Sequence, residues 1–199
     1  MVYKPSQKYY LQGSVAVKRA NSILDEQAAV FVDLLAHKDP HLRVLEIGSG
    51  TGGATLPILA ALGGMDSRTP PRFLSYHVTD ITTGFFEKLQ QKTAPWGDLV
   101  SYKKLDIEKD LLLQEFETES YDLVVAANVL HATTNMSHTM SNVRRLLKPG
   151  GTLLLIELMP MVAGMTNIFG IFDGCKFLDN FCSLLHLTSP DFLLLVKEN

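Results

Sequence analysis

Arg43-Val-Leu-Glu46-Ile-Gly48-Ser-Gly50-Thr-Gly52-Gly53 decides the fold. An apolar run of strand length stops abruptly at glycines, and Gly53 to Leu62 then carries helical spacing, with Pro57 tolerated only in the first turn of that helix. A strand that turns through glycines into a helix places backbone amides at a helix amino end, where a ligand can approach closely. Gly48, Gly50 and Gly53 also satisfy the G-x-G-x-x-G dinucleotide pattern, and a tight turn with no ligand is the plain alternative.

The same alternation continues outward. Arg19 to Ala36 places Ile23, Val30, Phe31, Leu34 and Leu35 at helical spacing, with Asp25, Glu26 and Gln27 on the other face. Phe73 to Thr79 reads as the second strand, and Thr82 or Thr83 caps a helix running to about Lys92. Leu99 to Leu105 is the third strand. Tyr121-Asp-Leu-Val-Val-Ala-Ala127 is the fourth, an unbroken apolar run suited to burial on both faces. Ser137 to Leu147 reads as a helix closed by Lys148-Pro-Gly-Gly151, and Thr152 to Leu158 as the fifth strand. Strand-helix alternation predicts an α/β fold with a mostly parallel sheet, helices on both faces and ligands at the carboxyl ends of the strands.

The residues at those ends form a constellation: Gly48, Gly50 and Gly52 after the first strand, Asp80 after the second, Asp106 after the third, Asn128 and His131 after the fourth. Glu46, two residues before Gly48, puts a carboxylate beneath the loop, which repels a diphosphate and welcomes the ammonium of a methionine moiety. That favours S-adenosylmethionine over a dinucleotide. Asp80 suits two ribose hydroxyls in either cofactor. Asp106 can accept an adenine amino group with Ile107 against the ring, or can be a solvated turn acid. His131 is either a structural histidine or a general base, the side chain suited to proton abstraction near neutrality. Glu157, 26 residues on, ends the neighbouring strand; it is either a paired acid or the carboxylate that orients His131. His41, His77, His138 and His186 lack such context and read as structural.

Composition fits one domain with extensions. The 199 residues are 46% apolar and 20% charged, enough to bury a core and too ordinary for a disordered or fibrous chain. A formal charge of −3 gives no electrostatic footprint for nucleic acid. Two cysteines, Cys175 and Cys182, make neither a disulfide framework nor a zinc set, so a reducing, cytoplasmic setting is expected and no metal is called for. The amino end is polar and aromatic, unlike a secretory signal, and no run approaches the roughly 18 apolar residues of a membrane helix. The domain division expected is 1–40 as a helical extension, 41–160 as the cofactor-binding core and 161–199 as a tail packed on the same domain.

Val44-Leu-Glu-Ile-Gly-Ser-Gly-Thr-Gly-Gly-Ala-Thr55, Thr79-Asp-Ile-Thr-Thr-Gly-Phe-Phe-Glu-Lys88, Leu105-Asp-Ile-Glu-Lys-Asp110, Tyr121-Asp-Leu-Val-Val-Ala-Ala-Asn-Val-Leu-His-Ala-Thr133 and Leu146-Leu-Lys-Pro-Gly-Gly151 closely resemble the carbon-methyltransferase domains of fungal iterative polyketide synthases, especially the highly reducing type. The likeness spans about Pro40 to Glu157. It implies a Rossmann-like class I methyltransferase fold with S-adenosylmethionine held by Glu46, by Gly48, Ser49, Gly50 and Gly52 of the loop, by Asp80 and Ile81, by Asp106 and Ile107, and by Asn128. It also implies a catalytic dyad at His131 and Glu157. The activity implied is methylation at the α-carbon of a β-ketoacyl chain, free or borne on an acyl carrier protein, in secondary metabolism. Partners would be a polyketide synthase or a second copy of the chain, with no nucleic acid and no membrane.

Two features depart from that family. Barely 40 residues precede the first strand, where the family carries a lid subdomain, so part of the acyl-chain pocket is expected to be absent. After Phe169-Gly170 the chain reads Ile171-Phe-Asp-Gly-Cys-Lys-Phe177 in place of the family's Pro-Gly-Trp-Trp run. The tail, with Leu184-Leu-His-Leu187 and Phe192-Leu-Leu-Leu-Val196, is expected to supply one helix and one strand in place of the family's closing antiparallel strands. Two other functions fit the same motifs: a stand-alone O- or N-methyltransferase of a small molecule, and an inactive scaffold that acts by association.

Overall fold

The computed structural model describes residues 15–65, 69–158 and 191–197. Its order is α1 (Val15–Lys38), β1 (Arg43–Ile47), α2 (Thr55–Leu62), β2 (Ser75–Asp80), α3 (Phe86–Thr93), β3 (Val100–Lys104), β4 (Tyr121–Ala127), α4 (Met136–Leu146), β5 (Leu147–Leu158) and β6 (Asp191–Lys197). The strands form one sheet in the order β3-β2-β1-β4-β5-β6, with β1 to β5 parallel and β6 antiparallel to β5. The chain winds from β1 through β2 to β3 on one side and restarts at β4 on the other. The topological switch point therefore lies between β1 and β4, where open sheets of this kind take ligands.

Alternation along the buried strands sends successive side chains to two cores. Val44, Tyr76, Val78, Leu123, Val125, Leu154 and Ile156 meet Ala28, Val32 and Ala36 of α1, Ile58, Leu59 and Leu62 of α2, and Leu89 of α3. Leu45, Ile47, Val124, Ala126, Leu153 and Leu155 meet Val143 and Leu146 of α4 on the opposite face. Burial of nearly all of β1 and β4, on both faces, explains their short, mostly apolar sequences, which a one-sided sheet would not need. Arg72 fastens α1 to the turn before β2. Its guanidinium donates to Asp33 Oδ1 and to the Ala61 carbonyl, each at 2.5 Å, and lies against His37 Nδ1.

Local differences from the sequence reading have physical causes. The helix expected from Thr82 or Thr83 begins as a 3-10 turn, Thr83–Phe85, capped by the Thr82 hydroxyl, and becomes α-helical only at Phe86. Lys148-Pro-Gly-Gly151 does follow the end of α4, yet it belongs to β5: Leu147 pairs with Tyr121, and the register then jumps so that Thr152 pairs with Leu123. The Pro-Gly-Gly run is the bulge between those pairs, which accommodates a proline without breaking the ladder. Phe192 to Val196 lies in β6, as the strand expected in the tail. Cys175, Cys182, His186, Leu184–Leu187 and the helix expected in the tail lie outside the described residues. No described helix is long and apolar enough to cross a membrane.

Candidate functional site

The glycine loop after β1 is held from two sides. Ser49 N–H donates to the Thr79 carbonyl and Gly50 N–H to Asp80 Oδ2, both at 2.9 Å, so the loop is tied to the end of β2. Asp80 Oδ1 accepts from Thr82 N–H, also at 2.9 Å. Each carboxylate oxygen thus takes one backbone amide and keeps further acceptor capacity, since a carboxylate offers about four lone-pair sites. On the other side the loop meets the segment after β4. Gly48 has φ +70°, and a Cβ there would stand 2.3 Å from Val129 Cγ2 and 2.8 Å from Val129 Cβ. Val129 is β-branched and cannot easily rotate away. Gly48→Ala is expected to destabilise the fold by about 1–3 kcal/mol through backbone strain and overpacking, a shift readable in urea denaturation.

Gly50, at φ +51°, faces open space, with no atom within 4 Å of an added Cβ. Beside it the Ser49 hydroxyl is buried and has no hydrogen-bond partner among the described residues, nor has that of Thr55 in the first turn of α2. Buried hydroxyls without partners are rare in native folds and call for an explanation. Ile81, directly after Asp80, is 61% exposed, an apolar side chain left at the rim of the same crevice.

Glu46 lies beneath the loop, 1% exposed. The Tyr76 hydroxyl donates to its Oε2 at 2.9 Å, and Thr79 Oγ1 donates to its carbonyl at 2.6 Å. Burial, reinforced by the Glu46 charge, holds the Tyr76 hydroxyl well above the usual phenol range, so it stays a donor. In the loop after β3, Asp106 Oδ1 accepts from Glu108 N–H at 3.2 Å, and its Oδ2 lies 3.1 Å from Lys109 Nζ. The Lys109 side chain is 74% exposed and its grip is weak. Ile107 packs into the core with Leu105, Leu111 and Phe116 and presents only 6% of its surface.

Asn128 ends β4 in the left-handed region, at φ +51°, and its N–H donates to the Ile156 carbonyl at 2.7 Å. In the β4–β5 register Ala127 pairs with Ile156, so Asn128 and Glu157 follow side by side at the strand ends. His131 comes three residues later in a 3-10 turn, Leu130–Ala132. The register thus sets Glu157 beside the end of β4, with His131 three residues past Asn128; the side chains of both lie outside the described part of the structure. Of the other histidines, His77 is bonded through Nδ1 to the Tyr121 hydroxyl at 2.9 Å. Burial, then the charges of Arg43 and Lys103, lower its pKa from the usual imidazole value. His138 sits in α4 with Nε2 3.4 Å from Asn142 Nδ2, and His41 is exposed in the turn before β1.

Three contacts gave no sequence signal: the Tyr76 hydroxyl on Glu46, Val129 against Gly48, and Glu108 bridging to the segment after His131. Each partner lies tens of residues away in the chain, beyond the reach of any local pattern.

Comparison with known proteins places this geometry in context. A family model described as "Methyltransferase domain" matches residues 45–153, from β1 into β5. The chain is 45% identical over 168 residues to the highly reducing polyketide synthase azaB of Aspergillus niger, an alignment covering 84% of this chain and 6% of that protein. The chain thus spans a small part of the length of that curated relative. Among solved structures, the trans-methyltransferase CalH, in complex with SAH, superposes with a TM-score of 0.71 at 35% identity, covering 82% of this chain and 46% of that one. The CurJ carbon methyltransferase superposes with a TM-score of 0.58 at 42% identity, covering 67% and 34%. The sheet order, the glycine loop and these likenesses agree on a Rossmann-like class I methyltransferase fold, and the chain belongs to the methyltransferase domain family.

Proposed function

We propose that this chain is an S-adenosylmethionine-dependent carbon methyltransferase that methylates the α-carbon of a β-ketoacyl intermediate in polyketide assembly. One observation carries the reading furthest. The Asn128–Ile156 hydrogen bond holds the ends of β4 and β5 in register, which supports a reading in which His131 and Glu157 act together.

Several features fit the cofactor. The Ser49 hydroxyl, without a partner among the described residues, gives the loop an unused polar group, and Gly50 leaves open space beside it. Glu46 would favour the amino group of the methionine moiety through charge beneath Gly48, Ser49 and Gly52. Asp80, with lone pairs left on both oxygens, would accept the ribose hydroxyls, and exposed Ile81 would cover one face of the adenine. Asp106 would reach the adenine amino group once Lys109 swings aside. Ile107, mostly buried, would support that loop from beneath, and Asn128 would close the crevice at the switch point. When bound, S-adenosylmethionine supplies a methyl group on a sulfonium, an electrophile that leaves S-adenosylhomocysteine.

The chain's own task is to make a carbon nucleophile. An α-carbon between two carbonyls is acidic enough for a positioned imidazole. His131 would take that proton, and Glu157 would hold the imidazole in the tautomer that accepts it and stabilise the charge it gains. Positioning and exclusion of water would supply most of the remaining acceleration.

In this reading residues 41–160 form the cofactor-binding core, 1–40 a helical extension and 161–199 a tail on the same domain. The chain acts in the cytoplasm, on a β-keto acyl group presented by an acyl carrier of a polyketide synthase. The test incubates the purified chain with S-adenosylmethionine and a β-ketoacyl thioester and follows the product by mass spectrometry and carbon NMR. A new methyl on the α-carbon is expected. A methyl on oxygen or nitrogen would move the reading to a stand-alone O- or N-methyltransferase.

A further inference from the structure

We propose that Glu108 is a positioning residue that fastens the segment following His131, and so sets where that segment lies over the crevice. The proposal rests on the reading of His131 as the base. Glu108 Oε1 accepts three hydrogens from two adjacent residues: Thr134 N–H at 2.8 Å, Asn135 N–H at 3.1 Å and the Thr134 hydroxyl. Thr134 and Asn135 lie just beyond the 3-10 turn that contains His131, and Asn135 caps α4 by accepting from His138 N–H at 3.0 Å. A carboxylate at the amino end of a helix is favoured by the helix dipole as well as by the hydrogen bonds.

A second anchor holds the other partner still. Asn142 of α4 is buried, and its Nδ2 donates to the carbonyls of Ile107 at 2.8 Å and Lys109 at 3.2 Å, which flank Glu108. The loop after β3 is thus pinned to α4 by Asn142 and to the approach to α4 by Glu108. Burial opposes ionisation of Glu108, but the Thr134 side chain and the two backbone amides outweigh it and hold the carboxyl below its usual pKa. One carboxylate oxygen thus collects three donors from two adjacent residues at the approach to α4. The segment it holds, Thr134 and Asn135, follows two residues after the 3-10 turn that contains His131, so in the proposed function its anchorage bears on where His131 stands.

A base displaced by about 1 Å can lose up to a hundredfold in rate, so the effect belongs in kcat. The experiment uses the full chain with Glu108→Ala, Glu108→Gln, Thr134→Val and the Glu108→Ala/Thr134→Val pair. It measures S-adenosylmethionine affinity by calorimetry, kcat and KM for methyl transfer to a β-ketoacyl thioester, and amide hydrogen exchange of the cofactor-free protein. Glu108→Ala is expected to lower kcat about tenfold to a hundredfold, with cofactor affinity and KM kept, and to speed exchange at the Thr134 and Asn135 amides. Glu108→Gln retains an acceptor oxygen and should recover most of the rate. Thr134→Val should lower kcat less, and adding it to Glu108→Ala should cost little more, because both act through one contact. Unchanged kcat in Glu108→Ala, additive losses in the pair, or a loss that Glu108→Gln does not recover would each overturn the proposal. Wild-type chain that binds cofactor yet methylates nothing contradicts the functional reading and the clamp together. Wild-type turnover with an indifferent Glu108→Ala contradicts the clamp alone.

Discussion

Replacing His131 with alanine should lower methyl-transfer turnover by about a hundredfold to ten-thousandfold, the range that a positioned general base supplies, while S-adenosylmethionine binding is kept. The separation follows from where the residue stands. His131 lies in the 3-10 turn beyond Asn128, whereas most of the groups assigned to the cofactor follow β1, β2 and β3. Glu157→Gln should cost less, about tenfold to a hundredfold, because the imidazole remains and only its orientation and charge stabilisation suffer. The measurement is single-turnover kinetics with saturating cofactor, beside calorimetric affinity on the same preparations. Turnover in His131→Ala at the wild-type rate would remove the mechanism.

Asp80→Ala should have the complementary signature. Its carboxylate holds Gly50 N–H and Thr82 N–H and, in the proposed function, the ribose hydroxyls as well. Deleting it leaves two amides without an acceptor and removes charge-assisted bonds, each worth about 1.5–3 kcal/mol. Cofactor affinity should therefore fall about tenfold to a hundredfold, at 1.4 kcal/mol per tenfold, with the fold retained. Asp80→Asn separates the parts of this loss. One amide oxygen can still accept from the loop, but the charge is gone, so the variant should lie between wild type and alanine. Calorimetric titration of each variant, with circular dichroism as the control for folding, gives the answer; affinity unchanged in Asp80→Ala would mean that the carboxylate serves the loop and not the ligand.

The sequence made the strands legible where burial is complete. Tyr121 to Ala127 is apolar because both faces of β4 are covered, and its boundaries match the structure residue for residue. The strand-end residues were legible for a related reason: a parallel sheet gathers the residues after each strand at one edge, so Gly48, Asp80 and Asn128 could be grouped without knowing a distance. Resemblance to the polyketide synthase domains then supplied what pattern alone could not, the choice of substrate and of the carbon methylated.

Local signals failed where a distant partner overrides them. Lys148-Pro-Gly-Gly151 has the chemistry of a stop, yet pairing of Leu147 with Tyr121 draws it into β5 as a bulge. Asp106 stands at a strand end like Asp80, but its partners, Glu108 N–H and Lys109, come from its own turn, whereas Asp80 also reaches the glycine loop at Gly50. Ile107 follows it as Ile81 follows Asp80, yet one is buried and the other 61% exposed, because Asn142 and α4 cover the loop after β3 and nothing comparable among the described residues covers Ile81. Glu108 looked like one acid among several in a polar turn. Its meaning lies in Thr134, 26 residues on, which only the folded chain brings near.

The most direct test of the central claim is a single preparation of the chain titrated calorimetrically with S-adenosylmethionine and S-adenosylhomocysteine and then supplied with a β-ketoacyl thioester. Binding of both, followed by transfer of the methyl group to the α-carbon, is the result expected. Failure to bind either compound would contradict the account at its root, because the glycine loop, Glu46 and Asp80 would then have no ligand to hold.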